Sequence, residues 1–145
     1  GFLQNVYAHT AGGGKFLGIL QVKKRQPSDE GHQGQAALIA LATYSELKNI
    51  ILVDEDVDIF DSDDILWAMT TRMQGDVSIT HLPGIRGHQL DPSQAPDYSP
   101  SIRGNGITCK TIFDCTVPWA LKYRFERAPF MEVDPTPWAP ELFKK

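Results

Sequence analysis

Ile50-Ile51-Leu52-Val53 runs directly into Asp54-Glu55-Asp56-Val57-Asp58. Such an unbroken apolar run reads as a strand buried within a sheet that is covered on both faces. The acids mark where that strand leaves the core. The polar edge of a sheet is where α/β proteins usually place their chemistry. Trp67-Ala68-Met69-Thr70-Thr71-Arg72 follows, in a segment with helical character.

The flanking sequence supports this layout. Asn5–Ala11 and Phe16–Val22 read as strands across Gly12-Gly13-Gly14, in a hairpin or short surface loop. Gln35–Leu47 reads as a helix with Leu38, Leu41, Ala42 and Ser45 along one face. Ala36, Ala37, Ile39 and Ala40 fill much of the remainder, so burial on more than one side is expected. Asp61 or Ser62 caps a second helix, whose first turn places Asp63 and Asp64 at its positive end. Ile65, Met69 and Met73, with Leu66 beside them, form its predicted apolar stripe, and Gly75-Asp76 stops it.

Val77–Leu82 is a further predicted strand, and Pro83–Asn105 a long loop, unusual in length unless it covers a site. Gly106–Cys115 alternates, with Thr108, Lys110, Ile112 and Asp114 on one face and Ile107, Cys109, Thr111, Phe113 and Cys115 on the other. A helix is expected from Thr116 to about Glu126, with Pro118 in its first turn. This order argues for one α/β domain over 1–145, three-layered with a mainly parallel sheet, ending in an extended tail over 133–145.

Composition narrows the function classes. A net charge of −4 with scattered basic residues argues against a nucleic-acid reader. No stretch approaches 18 consecutive apolar residues, so no membrane-spanning helix is expected. Cys109 and Cys115, six positions apart in extended chain, would sit about 20 Å apart at roughly 3.3 Å per residue, beyond disulfide reach. Nor do they have zinc-site spacing, and a reducing, cytoplasmic setting is expected. The start, without Met or a signal peptide, looks like a domain cut from a longer protein.

Several motifs carry chemical readings. Asp54-Glu55-Asp56 suits a divalent metal, as in a stand-alone metal-dependent transferase using Asp54 and Asp56, or merely a solvated strand end and helix cap. Gly12-Gly13-Gly14-Lys15 lacks the Ser or Thr that a phosphate loop requires after its lysine. Lys110, a mid-strand cation, must either meet an anion or reach solvent, because an unpaired buried charge costs several kcal/mol. Arg86 and His88 stand beside glycines in the long loop, where arginine suits carboxylate recognition.

Val22-Lys23-Lys24-Arg25, Val53 to Asp58, Trp67 to Arg72 and Lys110 to Thr116, in this order, resemble the carboxyl-terminal third of UbiD-type decarboxylases. Pro83 to Ser93 is most similar to the hydroxybenzoate and gallate decarboxylase branch. The resemblance implies a carboxy-lyase acting on aromatic carboxylic acids with prenylated FMN, a divalent metal (Mn or Mg) and potassium. It implies that Lys110 contacts the cofactor and that Arg86 and His88 lie in the substrate pocket. The family's catalytic Glu-Arg-Glu network and its metal ligands belong to a barrel domain with no counterpart here. The resemblance therefore implies no catalytic or metal-ligating residue in this chain, which alone should be inactive. The remaining domains of the same enzyme and further copies in a homo-oligomer are the expected partners, with the tail docked on a neighbouring subunit. A non-catalytic oligomerisation module is a further reading.

Overall fold

The structure, a computed structural model, describes residues 1–94, 97–99, 104, 106–128, 134 and 136–139. It has five strands, β1 (Leu3–Ala8), β2 (Leu17–Val22), β3 (Asn49–Asp54), β4 (Ile79–Arg86) and β5 (Ile107–Asp114). Two α-helices join them, α1 (His32–Thr43) between β2 and β3, and α2 (Ser62–Arg72) after β3. The strands lie in the order β1-β2-β3-β5-β4. The expected parallel arrangement holds for the three central strands, and both edge strands run antiparallel to their neighbours.

Strand β3 explains the layering. Its side chains alternate, so Ile50 and Leu52 pack with Leu20, Ala37, Leu41 and Ile112 under α1. Ile51 and Val53 pack with Ile19, Val57, Ile59, Ile65, Ala68 and Cys115 on the α2 side. Each layer thus buries one set of the same strand, in an α/β sandwich of helix, sheet and helix.

Local chemistry fixes the turns. Gly13 and Gly14 take left-handed φ values of 61° and 68° after a short 3₁₀ turn, closing the β1–β2 hairpin where a side chain would be strained. Asp61 caps α2 by accepting from the Asp63 N–H at 2.9 Å. Both cysteines are free thiols, and burial with the nearby Asp114 carboxylate pushes Cys115 up to about 12.

Several expectations are corrected. Helix α1 begins at His32 and ends at Thr43, and it is covered on only one side. Gln33, Ala37 and Leu41 are buried, while Leu38 and Ile39 are exposed. The inner stripe of α2 is Ile65, Ala68 and Arg72, with Met69 and Met73 only partly buried and Leu66 exposed. Strand β4 continues through Pro83 to Arg86, four residues into the predicted loop. Its pairing register shifts between Leu82 and Ile85, and Gly84 sits there at φ 75°. An edge strand tolerates a proline at such a bulge because the lost N–H is not needed by the ladder. Residues 116–126 form no α-helix: Trp119–Arg124 is a 3₁₀ helix. Its start is held by the Glu30 carboxylate on Trp119 N–H at 2.8 Å, and Lys122 donates to the Lys24 carbonyl at 3.0 Å. The tail expectation over 133–145 falls mostly outside the described residues, although Trp138 is exposed. Among the described residues no helix is long and apolar enough to cross a membrane.

Candidate functional site

Polar residues gather at both ends of the central strands. The carboxyl edge, where β3 ends in acids, holds a cleft of about 460 Å³ lined by Asp54, Asp56, Arg72, Lys122, Tyr123 and Arg127 among others. Arg72, from the last turn of α2, grips Asp56 with two parallel bonds, Nη1 to Oδ1 at 2.8 Å and Nη2 to Oδ2 at 2.5 Å. Its Nη1 also reaches Asp54 Oδ2 at 3.4 Å, and the Val117 N–H donates to that same oxygen at 2.7 Å. Arg127 pairs with Asp64 and stands 3.7 Å from Asp56. Both guanidiniums lie over the Trp67 ring, at 4.8 Å and 3.8 Å from its centre.

Burial pushes the Asp54 carboxyl up against the opposing Val117 bond and nearby cations. Burial also acts upward on Asp56, but the Arg72 bonds and charge outweigh it and hold that carboxyl low. Behind this cleft Lys24 is fully buried. Its ammonium donates to Glu30 at 2.7 Å and to the Val117 carbonyl at 3.0 Å. Gln33 joins Glu30 to Asp114, which in turn accepts from Thr116. Sequence reading named Lys24 only within the Val22-Lys23-Lys24-Arg25 motif and gave it no role of its own. The alternation of β2 was the available signal, since it turns Leu20, Val22 and then Lys24 inward.

The acids therefore hold the end of the sheet together. Among the described residues no group of three or more His, Cys, Asp or Glu side chains is placed to hold a metal ion. Asp54 and Asp56 instead share Arg72, which gives both acids a role in an ion-pair network.

The amino edge is built differently. A pocket of about 330 Å³ opens there between the α1–β3 connection, with Ser45 and Glu46, and the end of β4, with Arg86 and His88. Lys48 ties the segment after β4 to the sheet through Asp91 at 2.7 Å and Ser93 at 2.5 Å. Burial raises the Asp91 carboxyl, but the Lys48 and Ser93 bonds outweigh it and hold the group low. Leu90 N–H donates to His88 Nδ1 at 3.1 Å, which leaves the proton of the neutral ring on Nε2, 3.3 Å from Glu46. Phe16 packs edge-on against that ring. Arg86 lies against Gly106, where an added Cβ would stand 2.9 Å from Nη1, and it has no carboxylate partner among the described residues.

Arg86 and His88 are thus brought together, and Lys110 is kept apart from them. Lys110 is 1% exposed, and its ammonium donates to the carbonyls of Ser45 at 2.9 Å and Leu41 at 3.3 Å. These carbonyls lie at and just beyond the last turn of α1, where helical partners run out and a cation is favoured. Burial lowers the Lys110 pKa. The side chain lines neither the cleft nor the pocket.

The family model of the 3-octaprenyl-4-hydroxybenzoate carboxy-lyase C-terminal domain matches residues 2–115. A gallate decarboxylase of Lactiplantibacillus plantarum is 52% identical over 134 residues, covering 92% of this chain and 27% of that protein. The apo structure of a 3,4-dihydroxybenzoic acid decarboxylase from Enterobacter cloacae is 96% identical with a TM-score of 0.89, covering 99% of this chain and 29% of that one. The UbiD-class enzyme HmfF from Pelotomaculum thermopropionicum, in complex with FMN, is 28% identical with a TM-score of 0.77, over 89% of this chain and 26% of that one. The chain spans less than a third of each of these proteins.

Proposed function

The chain belongs to the 3-octaprenyl-4-hydroxybenzoate carboxy-lyase (UbiD) family, and on that premise we propose that it is the carboxyl-terminal domain of a non-oxidative decarboxylase of hydroxylated aromatic acids. The observation that carries this is the 96% identity over 99% of the chain to a 3,4-dihydroxybenzoic acid decarboxylase. In this reading the amino-edge pocket is one wall of the substrate cleft. Arg86, a guanidinium without a carboxylate among the described residues, offers its donors to the substrate's carboxylate or phenolic oxygens, and His88 stands beside it. The chain by itself catalyses nothing.

A flavin, in the prenylated form the resemblance implies, would supply the electron sink for decarboxylation. Most of the described cations are already committed and do not fit its phosphate by themselves. Lys24, Arg72, Arg127 and Lys110 already have carboxylate or carbonyl partners, and Lys15 pairs with Glu46 at 3.5 Å. The cofactor, with its divalent metal and potassium, is in this reading held mainly by the rest of the enzyme. For Lys110 the resemblance argues cofactor contact, while its two carbonyl bonds argue that it closes α1 and fixes the Ser45 wall. We propose the second role. Flavin content of the full-length Lys110→Met enzyme decides between them, since retention equal to wild type is expected and loss of flavin would restore the cofactor role.

A homo-oligomer in the cytoplasm, with the 133–145 tail docked on a neighbouring subunit, completes the proposal. The central test is release of CO₂ from 3,4-dihydroxybenzoate by the flavin-loaded full-length enzyme. No release from this acid or from gallate would sink the reading. Arg86→Met should lower kcat/KM by about 10- to 100-fold, the worth of hydrogen bonds to a charged group.

A further inference from the structure

The amino-edge pocket is supplied with donors, since Arg86 and His88 Nε2 both carry N–H groups. A phenolic hydroxyl needs more than donors, because its own hydrogen must find an acceptor when it leaves water. Glu46 is the carboxylate in the pocket lining. It sits in a tight turn whose Leu47 N–H donates to the Tyr44 carbonyl at 3.0 Å. Leu47 is buried beside it, and the buried Lys110 holds the preceding Ser45 carbonyl at 2.9 Å. The carboxylate is therefore presented from a fixed backbone.

Its two oxygens are unevenly occupied. Oε2 accepts from the Tyr44 hydroxyl at 3.0 Å and faces Lys15 at 3.5 Å, whereas Oε1 faces His88 Nε2 at 3.3 Å. An ionised carboxylate offers about four lone-pair sites, so these three partners leave room for a further donor. The side chain is 31% exposed and within reach of a ligand. The Tyr44 hydrogen bond, with the Lys15 and His88 charges, outweighs burial and holds the Glu46 carboxyl low. At neutral pH it accepts and does not donate.

From this arrangement we propose that Glu46 is a specificity-determining residue, whose Oε1 takes the hydrogen of a substrate's phenolic hydroxyl while His88 Nε2–H donates to the hydroxyl oxygen. A carboxylate and an imidazole N–H side by side complement a hydroxyl, which gives to one and accepts from the other. A methyl ether has no hydrogen to give and sets a methyl group against an ionised oxygen. Ser45 and Gln89 also line the pocket, but neutral acceptors form the weaker bonds. The proposal deepens the reading of this pocket as a wall of the substrate cleft and rests on it.

The test is calorimetric titration of the flavin-loaded full-length enzyme with two rings. One is 1,2-dihydroxybenzene, which remains when 3,4-dihydroxybenzoate loses CO₂. The other is 1,2-dimethoxybenzene, which keeps both oxygens and lacks both hydrogens. Wild type should bind the dihydroxy ring about tenfold or more tightly than the dimethoxy ring. Glu46→Leu should erase most of that ratio by weakening the dihydroxy ring alone, as expected for loss of a hydrogen bond to a charged acceptor. Glu46→Ala removes the same acceptor without the bulk of leucine and should agree. An unchanged ratio in a variant that keeps its flavin, or no preference in wild type, would overturn the proposal. Loss of flavin or of folding in both variants would make Glu46 structural and overturn it too. CO₂ release by wild type is scored separately, so a failed decarboxylase reading is distinguishable from unaltered selectivity.

Discussion

At the carboxyl edge of the sheet, Arg72, Arg127 and Lys24 each lie against a carboxylate, and Asp54 and Asp56 converge on one guanidinium. At the amino edge, Glu46, His88, Lys48 and Asp91 likewise pair among themselves, but Arg86 lines the pocket with no carboxylate to meet among the described residues. The acid-rich end, which a reader of the sequence notices first, is thus a structural network of ion pairs, with Asp54 Oδ1 and Arg72 Nε left without a hydrogen-bond partner among the described residues. The plainer end, half hidden in what looked like a loop, keeps an open valence. Charge density marks where a fold needs pairing. Arg86, without a carboxylate among the described residues, has donors to offer a ligand in the pocket it lines.

Substitutions that treat the two ends alike should therefore give different results. The largest effect is expected from Arg72→Met, which strands two carboxylates, one of them buried. It should lower stability by about 3–5 kcal/mol, read as a shift of the urea midpoint. A loss below about 1 kcal/mol would mean that the carboxyl edge is not a structural network. Arg86→Met should reverse the pattern. Its stability should stay within about 0.5 kcal/mol of wild type, as for a surface substitution, while activity of the full enzyme falls. Equal losses of stability and activity would erase the distinction between the two edges.

The smallest effect lies in the pH dependence. The folded state lowers the Asp56 carboxyl, so its pairing contributes fully above the ordinary carboxylate value of about 3.9 and is lost as pH falls through the lower folded value. Asp54 is raised, so its contribution is present in acid and is lost as pH rises through the raised value. Urea midpoints between pH 2 and 7 should show a shallower acid limb in Asp56→Asn than in wild type. An unchanged limb would mean that the Arg72 pair does not hold this carboxyl low.

Much of the fold was legible from local pattern. The β1–β2 hairpin, the central strand, the Asp61 cap and the alternation of β5 all follow from signals within a few residues. Two elements were not legible. Strand β4 crosses Pro83-Gly84 because its neighbour β5 accepts a shifted register, and nothing within β4 announces that partner. The segment after Pro118 is 3₁₀ rather than α because Glu30 and Lys24, about ninety positions earlier, fix its backbone.

The site divides in the same way. Sequence singled out Arg86 and His88 together, and the pocket keeps them together. It also placed Lys110 on one strand face with Thr108 and Ile112, from the two-residue repeat of a strand, and left open whether that face met an anion or solvent. What Lys110 meets there was beyond it. The carbonyls of Leu41 and Ser45 come from a helix end some seventy positions away, brought close only when α1 packs on the sheet. Periodicity within the chain set which face each side chain takes. The partner on that face was set by packing between distant segments, because a charge in a low-dielectric interior settles on whichever opposite dipole the fold delivers.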